Sequence, residues 1–364
     1  MKILGIETSC DETAAALLEV ADYNSHKTKK SQISNLKFQI LGNVVLSQVN
    51  IHKKYGGVVP EVAARKHVET ISPVIAEALN GQKPDLIAVT RGPGLITSLQ
   101  VGLQTAKTLS YVWDVPLVGV NHLEAHLWSY LLNQDTSHKL PARLVVVAGG
   151  QDTLFPAIGL IISGGHTEMI LVKGPGTYRL IGRTRDDAAG EAFDKVAKML
   201  NLGYPGGPVI AHFAKKGNSS QINFPRPMME SGDFDFSFSG LKTAVKYQLN
   251  DMVPTGNFSQ AFINDVCASF QQAVIDVLVG KTIKAAVKHK AKSVILGGGV
   301  SANEMLIADF QSSIFNLGLA FYYPEKWLTG DNAAMIALTG YFKQKSARKN
   351  NWRKLIAEAN LSIV

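Results

Sequence analysis

Two stretches, one in each half of the chain, constrain its architecture more than any other feature: "KILGIETSCDETAAALLEV" near the start and "AIGLIISGGHTEMILVKG" further on. Each is an apolar run, a tip of small and polar residues, and a second apolar run, which is the pattern of a strand–turn–strand hairpin. Glycine, serine and aspartate suit such tips, and bare backbone N–H groups there can hold phosphate oxygens. Between and after the hairpins, strands alternate with helices. "PEVAARKHVETISPVIAEALN" reads as a helix opened by Pro60 and "PDLIAVTRGPG" as a strand ending in a Gly-Pro-Gly turn. "LITSLQVGLQTAKTLSYVW" is the next helix, and "SVILGGGVSANEMLIADFQ" gives strand, glycine-rich turn and helix. The class is α/β, and the recurrence predicts a duplicated fold closing on a nucleotide.

The stretch "VPLVGVNHLEAHLWSYLL" places a short buried strand before a helix, with Asn121 at the N-cap position. His122 and His126 then share one face, beyond the C-terminal end of a strand, where open α/β sheets bind ligands. The spacing admits a shared metal and equally two solvated or capping imidazoles. Glu124 is off that face, about 200° round from His122, whereas the metalloprotease pattern H-E-x-x-H needs its acid at i+1. A zinc protease is therefore disfavoured.

With 364 residues, 46% hydrophobic and 18% charged, the chain can bury a full core in two lobes. No apolar run is expected to approach the ~20 residues that cross a bilayer, and the N-terminus reads as starting directly in a strand, without a leader. Cys10 and Cys267 form no C-x-x-C pair, which suits a reducing cytosol. The net charge of +8 favours a polyanionic partner. Its lysines and arginines cluster at Lys27, Lys29 and Lys30, at Lys53 and Lys54, from Lys281 to Lys292, and from Arg348 to Lys354; each cluster alone reads as a solvated face.

Ten motifs occur in order along nearly the whole chain: "GIETSCDET", "HKKYGGVVPEVAARKH", "GPGLITSLQVGLQTAK", "NHLEAH", "SGGHTEM", "DDAAGEAFDKVAKML", "YPGGP", "FSFSGLKTAV", "GGGVSAN" and "TGDNAAMIA". Together they resemble the universal tRNA threonylcarbamoyltransferase family in its bacterial and organellar form, once described as a glycoprotein endopeptidase. The resemblance implies a two-lobe fold of the actin–hexokinase (ASKHA) type, with mixed sheets flanked by helices. The lobes are expected at 1–121 and, with family-specific helical insertions, at 122–330, followed by a helical segment at 331–364. The implied reaction moves threonylcarbamoyl from threonylcarbamoyl-AMP to the N6 amine of the adenosine 3′ to the anticodon in tRNAs reading ANN codons, and AMP leaves.

The resemblance also assigns residues. Asp331 joins His122 and His126 as a third ligand to one divalent metal per subunit, iron(II) with zinc(II) as the alternative; alone, Asp331 reads as a helix cap. Ile161, Ile162, Ser163, Gly164 and Gly165 carry over as substrate contacts, and so do Asp194, Gly207 and Asn303. Taken singly, the last three read as a helix-face salt bridge, a turn and a helix cap. His166 stays without a role. The implied partners are the tRNA anticodon loop, the adenylate, a shorter paralogue (TsaB type) and a small P-loop ATPase (TsaE type), with a homodimer as the mitochondrial alternative and no membrane. Segments 22–38 and 133–156, the latter with a strand-like run from Leu144 to Val147, are longer than the pattern requires. Two other classes compete: a small-molecule kinase on the same fold, and a non-catalytic partner subunit. Neither needs a His-His-Asp metal site.

Overall fold

Lys2–Glu7 (β1) and Glu12–Asp22 (β2) form the first expected hairpin, with Glu7 opposite Ala14. The computed structural model describes residues 1–22, 36–133, 154–252 and 258–364, so most of the lysine-rich stretch at 22–38 and the run 144–147 lie outside the described residues. Leu36–Ser47 (β3) pairs antiparallel with β2. After the short helix Val49–His52 (α1) come Pro60–Leu79 (α2), Leu86–Gly92 (β4), Ile96–Trp113 (α3), Leu117–Asn121 (β5) and His122–Trp128 (α4). The five strands make one sheet in the order β3-β2-β1-β4-β5, in which β4 and β5 run parallel to β1.

The second sheet repeats that plan. Ala157–Ile162 (β6), Thr167–Gly174 (β7) and Thr177–Arg183 (β8) are the antiparallel part. Four helices follow: Ala189–Met199 (α5), Gly206–Ala214 (α6), Ser239–Met252 (α7) and Gln260–Lys288 (α8). Ser293–Gly297 (β9), Glu304–Phe315 (α9) and Ala320–Tyr322 (β10) complete it, with β9 parallel to β6 and β10 parallel to β9. Read from the antiparallel edge the order is β8-β7-β6-β9-β10, the same as in the first sheet. The expected duplication of an α/β plan is present.

The chain divides into one unit of Met1–Ala142 with Pro324–Val364, and a second of Arg143–Tyr323. These limits differ from boundaries at 121/122 and 330/331. Packing is the reason. Helix α4 continues directly from β5, and the last two helices, Lys326–Thr329 (α10) and Ala333–Phe342 (α11), pack in the first unit. α11 is apolar on every side, so it is stable only where it is enclosed; Ala333 to Gly340 are all buried, and the helix lies against β1, β2, β4 and α4.

The alternation of β1 decides what that helix meets. Leu4 and Ile6 join the cluster of Ile71, Val74, Leu103 and Ala106 from α2 and α3. Gly5 and Glu7 face the other way. A Cβ on Gly5 would stand 2.0 Å from the carbonyl oxygen of Ala333 and 2.8 Å from the nitrogen of Ala337. Only glycine lets α11 settle directly on the strand.

In the second unit, α8 is capped by Ser259, whose side chain accepts from the N–H of Phe262. By length and composition it is, among the described residues, the one helix able to cross a bilayer, contrary to the expectation that no run comes close. Asn264, Ser269, Gln271 and Thr282 interrupt the apolar run in sequence, yet all are buried with it. Two thirds of its apolar window (67%) is enclosed within the unit, against α6, α9 and β6. Lys281, expected on a solvated face, is buried there too and donates to Ser231 Oγ at 2.9 Å and to the carbonyl of Asp233 at 3.1 Å.

Candidate metal centre

Asn121 ends β5 and starts α4 as the sequence predicts. Its Oδ1 accepts from the N–H groups of Leu123 and Glu124 at 2.9 and 3.1 Å, satisfying two of the donors that a helix start leaves open. His122 therefore occupies the first helical position and His126 the same face one turn on. Their rings meet edge to face, 4.6 Å between centroids at 86°. Glu124 is buried and accepts from Lys343 Nζ just beyond α11, so it joins the two helices.

Asp331 reaches the same place from the turn between α10 and α11. The helix cap is Asn332, whose Oδ1 accepts from Met335 N–H at 3.1 Å while its Nδ2 donates to Gly330 O at 2.9 Å. With the cap supplied by its neighbour, Asp331 is available to the histidines. Its Oδ1 lies 3.3 Å from His122 Nε2 and 3.2 Å from His126 Nε2. One ligand atom from each residue falls within 4.8 Å of the other two. Bonds of about 2.1 Å to a tetrahedral ion require ligand atoms about 3.4 Å apart, which the two carboxylate–imidazole distances match. Two imidazoles and a carboxylate suit zinc(II) or iron(II) with open positions.

One residue of this cluster escaped the sequence reading. Glu7, the last residue of β1, is fully buried, and its Oε2 lies 2.9 Å from His122 Nδ1 and 2.6 Å from Thr90 Oγ1, while Oε1 accepts from Ser9 N–H. The signal was present: a lone acid closing the apolar strand "KILGIE", at a position where alternation turns it inward.

Charge in this pocket is strongly organised. Burial disfavours the imidazolium of His122, but the carboxylates of Asp331 and Glu7 outweigh it and hold the group well above its ordinary pKa. His126 moves down, because burial and the neighbouring His122 together exceed the help of Asp331. Burial would raise Asp331, and the two imidazoles reverse that and hold it far below the usual carboxylate range. Glu7 is likewise lowered against its burial by His122. Nearby, burial and the charges of Asp331 and Asp11 push half-buried Glu12 well up.

The other candidate residues belong to the second unit. Ile161 and Ile162 are buried at the end of β6, and Ser163 begins the tip. Ser163 N–H donates to His166 O at 2.8 Å and Ser163 Oγ accepts from His166 N–H at 3.1 Å, which folds the tip and leaves Gly164 and Gly165 exposed. A Cβ on either glycine would meet nothing within 4 Å. Asp194 Oδ1 accepts from Gly206 N–H at 2.6 Å, tying α5 to the start of α6, where Gly207 also lies in open space. Asn303 caps α9 through Oδ1, at 3.0 and 3.1 Å from the N–H groups of Met305 and Leu306, and its Nδ2 donates to Gln271. The cap reading of Asn303 is thus realised in the structure. The metal ligands and the tip, α5–α6 and Asn303 positions fall in different units.

The sequence profile described as TsaD, tRNA N6-adenosine threonylcarbamoyltransferase, matches residues 39–155 and 150–338. Curated proteins of that name are similar over almost the full length. The one from Clostridioides difficile is 44% identical, covering 99% of this chain and 98% of that protein. The one from Desulfotalea psychrophila is 47% identical, covering 94% and 92%. Among solved structures, full-length HypF in its phosphate- and nucleotide-bound form aligns with a TM-score of 0.55 at 13% identity, over 95% of this chain and 55% of HypF. Component A of (R)-2-hydroxyglutaryl-CoA dehydratase from Acidaminococcus fermentans gives 0.51 at 14%, over 95% and 99%. These two likenesses bear on the fold, which is the duplicated actin–hexokinase (ASKHA) type.

Proposed function

The chain belongs to the tRNA N6-adenosine threonylcarbamoyltransferase family, and from that membership we propose that it transfers threonylcarbamoyl from threonylcarbamoyl-AMP to the N6 amine of the adenosine 3′ to the anticodon in ANN-reading tRNAs. A C–N bond forms at the carbamoyl carbon, the C–O bond to the phosphate breaks, one N6 proton is lost, and AMP leaves. An aromatic amine is a weak nucleophile, so the carbonyl must be polarised and the departing phosphate stabilised. The observation that carries the reading is the convergence of His122, His126 and Asp331 in the first unit. Those three residues would hold the metal, iron(II) or alternatively zinc(II), which when bound supplies a Lewis acid for the carbonyl.

The remaining work falls to the chain itself. The exposed Ser163–Gly165 tip suits phosphate through backbone N–H groups, because no side chain intervenes at the glycines. Ile161 and Ile162 lead the chain to that tip. Asp194, Gly207 and Asn303 are assigned to the nucleoside. Asp194 is held by the Gly206 amide and Asn303 by the α9 cap, so both are pre-oriented. Glu124, paired with Lys343, is not placed as the i+1 acid that an H-E-x-x-H endopeptidase would use. A shorter paralogue, a small P-loop ATPase and a cytoplasmic location complete the proposal, with a homodimer as the alternative assembly.

The test is reconstitution with synthetic threonylcarbamoyl-adenylate and tRNA, adding the partners one at a time, alongside elemental analysis. His122→Ala and His126→Ala are expected to lose both metal and transfer while keeping the fold. Full metal occupancy in either variant would overturn the ligand assignment, and modification of a sugar or acetate in place of tRNA would favour the kinase class.

A further inference from the structure

The two imidazoles of the centre are supported unequally. His126 presents Nε2 to Asp331, and its buried Nδ1 has no hydrogen-bond partner among the described residues. His122 also presents Nε2 to Asp331, but its Nδ1 meets Glu7 Oε2 at 2.9 Å, with Ser9 Oγ a more distant neighbour at 3.3 Å. Glu7 is itself fixed. Oε2 receives the Thr90 hydroxyl at 2.6 Å and Oε1 receives the Ser9 amide, so three protein donors point at one fully buried carboxylate. Glu7 cannot reorient without orphaning one of them. Its place at the end of β1, on the face that carries α11, is set by strand alternation rather than by a loop.

We propose that Glu7 is a positioning residue: by accepting a hydrogen bond from His122 Nδ1–H it fixes the tautomer and ring plane of His122 so that Nε2 is the ligand atom. A carboxylate behind an imidazole ligand also raises the basicity of the opposite nitrogen. The centre therefore has one imidazole anchored at both nitrogens, His122, and one anchored only at Nε2, His126. This inference rests on the reading of His122, His126 and Asp331 as a metal site.

Glu7→Gln is the sharpest perturbation. It keeps the shape, but one carboxylate oxygen becomes an NH2 group, and either oxygen position faces existing donors. The measurement is zinc binding to the purified chain by chelator competition, with His122→Ala as the reference for a lost ligand. Glu7→Gln is expected to raise the zinc Kd about 10- to 100-fold, with a native circular dichroism spectrum. Long-range nitrogen–proton NMR of the zinc-loaded wild-type protein should show His122 protonated at Nδ1. Unchanged zinc affinity in folded Glu7→Gln overturns the role of Glu7 while leaving the metal site standing. Equal affinity in wild type and His122→Ala overturns the metal reading and this role with it. Should Glu7→Gln fail to fold, the NMR experiment decides alone, and metal bound through His122 Nδ1 refutes the proposal.

Discussion

Gly5→Ala adds a single methyl group, yet it should disable the centre. The new Cβ would stand 2.0 Å from Ala333 O and 2.8 Å from Ala337 N, both backbone atoms of α11. Real contacts of this kind are not found under 3.0 Å, so the start of α11 must retreat by about 1 Å (3.0 − 2.0). Asp331 lies two residues before Ala333 and moves with it, whereas His122 and His126 stay on α4. The gaps of 3.2 and 3.3 Å that suit a shared ion then open by up to a third. Overpacking of a filled core costs about 1–3 kcal/mol; removing a strand glycine returns about 0.5–1 kcal/mol, so a net loss of up to about 2.5 kcal/mol is expected. A 1 Å displacement of reacting groups reduces rate on the order of 100-fold. Stability can be read from tryptophan fluorescence in urea, because Trp113, Trp128, Trp327 and Trp352 all belong to the first unit and report on it alone. Zinc titration and single-turnover transfer complete the assay. A Gly5→Ala protein with wild-type urea midpoint, zinc affinity and rate would refute the account of how α11 is seated.

Metal binding should weaken as pH falls through the raised pKa of His122, because the ion must displace the proton that Asp331 and Glu7 retain there; a pH-independent zinc Kd across that range would contradict the charge arrangement. In metal-free protein the sign reverses: the His122 contribution to stability is complete below the unfolded value near 6.5 and is lost as pH rises through the folded one, while that of the depressed Asp331 is present above about 3.8 and lost on acidification. Gly165→Val has room for its side chain, so the fold should persist while adenine-nucleotide affinity drops, and calorimetry showing equal affinity would remove the tip from the binding site. With a net charge of +8, tRNA binding by the reconstituted complex should fall steeply with salt and adenylate binding much less; parallel salt slopes would show that phosphate contacts do not dominate tRNA affinity.

Periodicity made both hairpins, the duplicated α/β plan and the His122–His126 helix legible, because each depends on local pattern, the helix also on its adjacent cap, Asn121. Asp331 was reachable only through family resemblance. On local grounds it competes with Asn332 for the cap, and the geometry of that one turn decides between them. Glu7 was legible only in part: "KILGIE" shows an acid at an inward strand position, but not that this strand end lies behind a histidine 115 residues away. The compact units differ from the expected limits at 121/122 and 330/331 because the last helices return to the first sheet, a long-range packing choice driven by the apolar faces of α11. Helix α8 is hard to read as one long apolar element because buried polar residues interrupt its sequence, although its mean hydropathy is high.

That return of the chain imposes an order on biosynthesis. His126 and Asp331 are separated by 205 residues, and the whole second unit is made between them. At roughly 5–20 residues per second, the histidines leave the ribosome about 10–40 s before the carboxylate that completes their site. During that interval β1, β2 and β4 lack the helix that covers them, and Glu7 and His122 face each other without Asp331. The three candidate metal ligands can therefore come together only after Asp331 has been made, behind the whole second unit.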